Sequence, residues 1–73
     1  MTLDDLATGS EATVASVGGE GVFRRRLLEL GLLPGTRVAR IGQAPLGDPL
    51  RIRVRDVVLS IRRVDARRVE LNG

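Results

Sequence analysis

The apolar positions of this 73-residue chain fall into short runs whose period changes along its length. The clearest run is Leu50 to Arg62, where Leu50, Ile52 and Val54 alternate with Arg51, Arg53 and Arg55. Alternation at period two marks a strand with one buried face. A two-residue turn at Arg55-Asp56 pairs Val54 with Val57, Ile52 with Leu59 and Leu50 with Ile61. All six apolar side chains then share one face, with Arg51, Arg53, Val58 and Ser60 on the other, and a slip of one residue destroys that arrangement. The turn itself is the weaker element, because Arg is a poor residue where positive φ is wanted.

Upstream, Glu11 to Val17 is rich in β-branched residues and reads as a strand that Gly18-Gly19-Glu20-Gly21 breaks. Val22 to Leu30 is the one clear helix: Phe23, Leu27 and Leu30 at i, i+4 and i+7 form an apolar stripe. Arg24, Arg25 and Glu29 fall off that stripe, Leu28 lies beside it, and Gly31 supplies a left-handed cap. Leu32-Leu33-Pro34-Gly35 reads as a turn whose Pro-Gly pair favours type II geometry. Thr36 to Gly42 has strand composition, but Val38 and Ile41 have opposite parity, which calls for a bulge or for cover on both faces. Gln43 to Pro49 is a second turn. At the start, Leu3 and Leu6 tuck a single helical turn onto the body and Gly9 ends it. Val64 to Arg67 resembles one more helical turn, and Arg68 to Leu71 a closing strand. The sum is one domain over residues 1–73, mainly β: a small, partly open β-barrel with one short helix inserted after the first strand.

Composition narrows the chemistry. The chain has no Cys and no His, so disulfides, zinc ribbons, a thiol nucleophile and the commonest general base are all missing. A single aromatic residue, Phe23, excludes stacking several bases on aromatic rings. No apolar run approaches the length of a membrane span, and the first ten residues carry two Asp and no basic residue. The expected address is the cytoplasm, with no insertion into a membrane. All twelve basic residues are Arg, set among nine acidic ones for a net charge of +3, so a nucleic-acid partner is permitted but not demanded. A chain this small should expose about 4,400 Å² when folded and has few core positions to spare for chemistry.

No catalytic constellation emerges. Gly19-Glu20-Gly21 is followed by Arg24 where a dinucleotide fingerprint wants its third glycine, and a P-loop Lys is missing, so the loop is a plain connection. Asp4 and Asp5 are adjacent but the other acids are scattered, which gives no metal site. Nothing is present to activate Ser10, Ser16 or Ser60, so the chain reads as no enzyme, with no cofactor. Two features suit a partner. The Arg face of the hairpin, Arg51 and Arg53 with Arg62, fits phosphate or an acidic protein, or else is a solvated strand face. Leu28, Leu32 and Leu33 beside Pro34-Gly35 form an apolar docking patch, or else close the open end of the barrel.

Leu27-Leu28-Glu29-Leu30-Gly31-Leu32-Leu33-Pro34-Gly35-Thr36 resembles the "LxxLGLxPGT" centre of the FeoA family, ferrous iron transport protein A. Ala44 to Leu50 is similar to that family's "aPlgdP" loop, Val57 to Arg63 with Asp65-Ala66 to its closing stretch, and Thr2-Leu3 to Gly9 to its "sLxdLxxG" start. The resemblance implies an SH3-like barrel that acts as a cytosolic accessory of the ferrous iron transporter FeoB, a membrane protein with its own GTPase domain. It implies docking on the cytosolic side, GTPase domain included, through protein–protein contacts. The motif residues themselves are those of a fold; the candidate partner-binding residues are Leu28, Leu32, Leu33, Pro34, Arg51 and Arg53 from the two surfaces above, to which the resemblance adds Arg24 and Arg25, either of which would reach a GTPase site as an arginine finger. The chain departs from the family at Arg55-Asp56, where an easier Gly is usual, and it lacks the His and Cys with which some relatives could touch metal. Direct metal handling is therefore less expected of this chain than of the family at large.

Two other readings stand beside this one. An SH3-like module using the Arg face would bind nucleic acid with steep salt dependence. The fold also serves as the C-terminal domain of metal-dependent repressors of the iron-regulator type. This chain begins with Met and has no room for their DNA-binding and dimerisation domains, so a stand-alone member of the FeoA family is expected. Self-association through an edge strand is a further expectation.

Overall fold

The computed structural model describes residues 1–72. Five strands, β1 (Glu11–Val17), β2 (Arg37–Gln43), β3 (Leu50–Val54), β4 (Val57–Ile61) and β5 (Val69–Asn72), accompany two helices, α1 (Gly21–Glu29) and the single turn α2 (Arg63–Ala66). The strands form one antiparallel sheet in the order β4-β3-β2-β1-β5. No ladder joins β4 to β5 among the described residues, so the curled sheet is a barrel left open along that seam. The accessible surface, 4438 Å², is what the chain's size leads one to expect.

The β3–β4 hairpin has the register the alternating pattern requires, with Val54 opposite Val57, Ile52 opposite Leu59 and Leu50 opposite Ile61. The six side chains share a face but not a fate. Leu50, Ile52, Val54 and Ile61 are buried, Leu59 is half-buried, and Val57 is 56% exposed. The reason is topological: β3 is flanked on both sides, whereas β4 is an edge, and periodicity alone does not tell the two apart. The turn carries its expected strain, with Arg55 at a φ of 58°.

The opposite parity of Val38 and Ile41 is resolved by a bulge. The β2–β3 register shifts between Arg40 and Gly42, so Val38 and Arg40 point inward while Ile41 is thrown out to the surface. The inward slot is thus taken by a buried Arg. Its Nη1 donates to the Leu6 carbonyl at 2.8 Å and the Asp4 carbonyl at 3.3 Å, which fastens the N-terminal segment across the barrel mouth. A 3₁₀ turn at Leu3–Asp5 lowers Leu3 and Leu6 into the core, as their spacing implies. Beyond it, Thr2 bridges to Glu70 and the Leu71 N–H donates to the Met1 carbonyl at 2.8 Å, so the outer edge of β5 is covered.

Candidate docking surface

Helix α1 begins after a run of glycines and stops at Gly31, whose φ is 102°. There the Leu32 N–H donates to the Leu27 carbonyl at 3.2 Å and the Gly31 N–H to the Leu28 carbonyl at 3.0 Å. These two bonds define a Schellman termination, and its customary hydrophobic contact is met by Leu27 and Leu32, both buried. A β-carbon at Gly31 would also meet Val54 Cγ1 at 3.5 Å, so this turn lies close against β3. The next turn closes with the Thr36 N–H donating to the Leu33 carbonyl at 3.0 Å, and Gly35 has the positive φ, 89°, that type II geometry requires.

This termination corrects two expectations. Leu32 is fully buried and belongs to the core, so it is not part of a docking patch. The stripe Phe23, Leu27, Leu30 does not face inward either: Leu27 is buried, but Phe23 and Leu30 are 49% and 40% exposed. At about 100° per residue the inward arc holds Leu27 and Leu28, with the exposed Arg24 in line with them one turn earlier, and the outward flank carries Val22, Phe23, Arg26 and Leu30. Leu32, just past the helix end, is fully buried, while Leu30 within the last turn is left exposed. Leu28 is half-buried and packs on the core.

The two helix arginines that sequence reasoning treated alike differ here. Arg24 Nε donates to the Val17 carbonyl at 3.1 Å, which anchors the helix to the end of β1. Arg25, exposed like Arg24, has no such bond among the described residues and projects from α1. Arg68 spans the remaining gap, its guanidinium carbon 5.2 Å from the centroid of the Phe23 ring. Leu33 (42% exposed) and Pro34 lie on the surface beside the helix end.

On the outer face of the sheet, Arg53 stands opposite Ala39 and faces a shallow hollow shared with Arg37 and Arg55. Arg37 is paired across to Glu11 at 3.5 Å. Arg51 lies in a separate hollow beside Pro45, Pro49 and Ser60, so the two hairpin arginines do not converge. Arg62 does not join them: its Nε donates to Asp65 Oδ2 at 3.0 Å. Arg37 and Arg55 were missed from the sequence because their proximity to Arg53 depends on how β2 pairs with β3. A third groove runs between α1 and the edge of β4, with Arg26 and Leu30 on one wall, Ser60 and Arg62 on the other, and Leu27 and Ile61 at its floor. Among the described residues no three Asp or Glu converge where they could hold a metal ion, and no helix is long and apolar enough to cross a membrane.

Comparison with known proteins matches the sequence to a family model. The FeoA domain model matches residues 1–72. A protein of Porphyromonas gingivalis, described as an Fe(2+) transport protein A/Fe(2+) transporter FeoB fusion protein, is 42% identical over 71 residues. That match spans 97% of this chain but only 8% of the relative's length. The solution structure of FeoA from Chlorobium tepidum superposes with a TM-score of 0.89 at 38% identity, over 97% of this chain and 68% of that one. FeoA of Stenotrophomonas maltophilia, crystallised with zinc and described as a procaryotic SH3 domain protein, superposes with a TM-score of 0.86 at 33% identity, over 99% and 89% of the two chains. On the whole-length family match and these relatives, the chain belongs to the FeoA family.

Proposed function

We propose that this chain is a cytoplasmic accessory of ferrous iron uptake that docks on the cytosolic side of FeoB, its GTPase domain included, through the exposed part of α1 and the turn that follows. The fusion in the Porphyromonas gingivalis relative supports this reading. Joining two modules in one chain makes their encounter intramolecular and raises their effective concentration, which is useful only where the modules act together. The chain's own surface fits the role. Arg25, Leu30, Leu33 and Pro34 are exposed on and just beyond α1, and apolar groups with an adjacent guanidinium are characteristic of the centre of a protein interface. A module of this kind acts by contacting one state of its partner better than another.

The test is a titration against full-length FeoB in detergent at low and high salt. Binding should be saturable and survive salt, and Leu33→Glu should weaken it by about tenfold or more. Leu33→Glu is the cleaner probe, since Leu28 packs on the core and its replacement would disturb the fold. Loss of binding at high salt, with Arg53→Ala as the damaging change, would move the contact to the Arg face. No binding to FeoB together with salt-sensitive retention on RNA or DNA would replace the proposal with the nucleic-acid reading.

A further inference from the structure

The two edges of the sheet are treated differently. The edge of β5 is covered by the N-terminal segment, while β4, Val57–Ile61, has no hydrogen-bonded strand on its outer side among the described residues, only the open groove that separates it from α1. Edge strands are usually blunted by charge, Pro or a bulge. β4 has none of these: its sequence is Val-Val-Leu-Ser-Ile and its ladder with β3 is regular. In a two-residue hairpin the residues flanking the turn form a hydrogen-bonded pair. Val57, Leu59 and Ile61 therefore spend their main-chain groups on β3, and Val58 and Ser60 turn theirs outward. Val57 and Val58 are both largely exposed, so the same edge also shows apolar side chains to water.

We propose that the occupant of this edge is a second copy of the chain, paired antiparallel β4 to β4 about a twofold axis at Leu59. In that register Val58 of each copy faces Ser60 of the other, and all the outward main-chain groups of both strands are satisfied. It is the register that overlaps the whole strand; shifting it by two residues either way places part of one strand opposite the other's turn or helix. Val57 lands opposite Ile61 of the second copy and Leu59 opposite Leu59, which covers the apolar groups that β4 leaves half in water. The ends match in charge as well. Asp56, which has no ion-pair partner among the described residues, comes opposite Arg62, whose Nε is held by Asp65 at 3.0 Å and whose side chain, 58% exposed, keeps its terminal guanidinium nitrogens for a second carboxylate. With β5 already covered, one edge per copy is available, so the assembly closes as a dimer and does not propagate into a fibre.

The first experiment uses the unaltered protein: amide exchange by NMR at micromolar and at near-millimolar concentration, beside sedimentation at the same concentrations. Pairing predicts that the Val58 and Ser60 amides gain protection as dimer forms, while the Leu59 amide, already bonded to β3, does not change. Two variants fix the register. Ser60→Pro removes an outward N–H that the fold does not use and should give a folded monomer. Because the chain has no cysteine, Leu59→Cys should yield a disulfide-linked dimer on mild oxidation, since directly opposed non-hydrogen-bonded residues lie about 4.5 Å apart, within disulfide reach. Val57→Cys, offset from the axis, should not. A protein that stays monomeric at near-millimolar concentration overturns the proposal. So does a dimer in which the Val58 and Ser60 amides stay unprotected and Leu59→Cys does not cross-link.

Discussion

Arg68 and Phe23 meet face to guanidinium, 5.2 Å from centroid to carbon, and this contact ties α1 to the approach of β5. Few other bonds hold the helix: Leu27 in the core, Leu28 half-buried, and Arg24 on the Val17 carbonyl. Arg68→Ala should cost about 0.5–1 kcal/mol, the size of an exposed cation–π contact. The loss should be local. Amide exchange should quicken through α1 and leave the β2–β3 amides unchanged. Uniform loss across the sheet would show that the helix is not held separately.

Among the described residues Arg40 is the buried charged side chain, and its partners are main-chain carbonyls of the N-terminal segment and the Gln43 side chain. Hydrogen bonds from a charged donor contribute about 1.5–3 kcal/mol. Arg40→Ala should lower stability by about 2–3 kcal/mol, because it also strands the Leu6 carbonyl. Urea unfolding measures it; a change below about 0.5 kcal/mol would mean that the N-terminal segment is held by Leu3 and Leu6 alone.

Much of this fold is legible in the chain. Leu50, Ile52 and Val54 against Val57, Leu59 and Ile61 set the hairpin register, and the mismatch of Val38 with Ile41 announces the bulge. What escapes is whatever depends on a neighbour distant in sequence. Nothing in Val-Val-Leu-Ser-Ile says that β4 is an edge, and nothing in Phe23, Leu27 and Leu30 says that Leu32, past the helix end, is buried while Leu30 is left exposed. The docking surface suffers most from this: of the leucines beside Pro34, only Leu33 is largely exposed, and Arg37 joins Arg53 only through strand pairing.

Arg55 occupies the first turn position of the hairpin at a φ of 58°. A left-handed conformation costs a residue with a β-carbon about 1–2 kcal/mol, partly offset in glycine by a freer unfolded chain. Arg55→Gly should therefore raise stability by about 0.5–1 kcal/mol, read as a higher urea midpoint at unchanged slope. A lower midpoint would show that the Arg55 side chain makes a contact worth more than the strain.

Asp5 has its carboxyl held below the ordinary value, first by the Thr2 N–H at 2.9 Å and then by the Thr2 hydroxyl at 3.1 Å. A depressed carboxyl stabilises the fold above its unfolded value and ceases to do so as the pH falls through the folded one. The difference in urea midpoint between wild type and Asp5→Asn should be largest near about pH 6 and shrink toward about pH 2. A difference independent of pH would assign the effect to the shape of the turn and not to its charge.

The face that docks on the transporter is read out by an NMR footprint. Isotope-labelled protein would be titrated with full-length FeoB in detergent while every amide is followed by NMR. Docking through α1 and the turn after it should give selective broadening or shifts at Arg25, Leu30, Leu33 and Gly35, with the β2–β3 amides undisturbed. Effects centred on Arg37, Arg53 and Arg55, or no effect anywhere at saturating transporter, would contradict it.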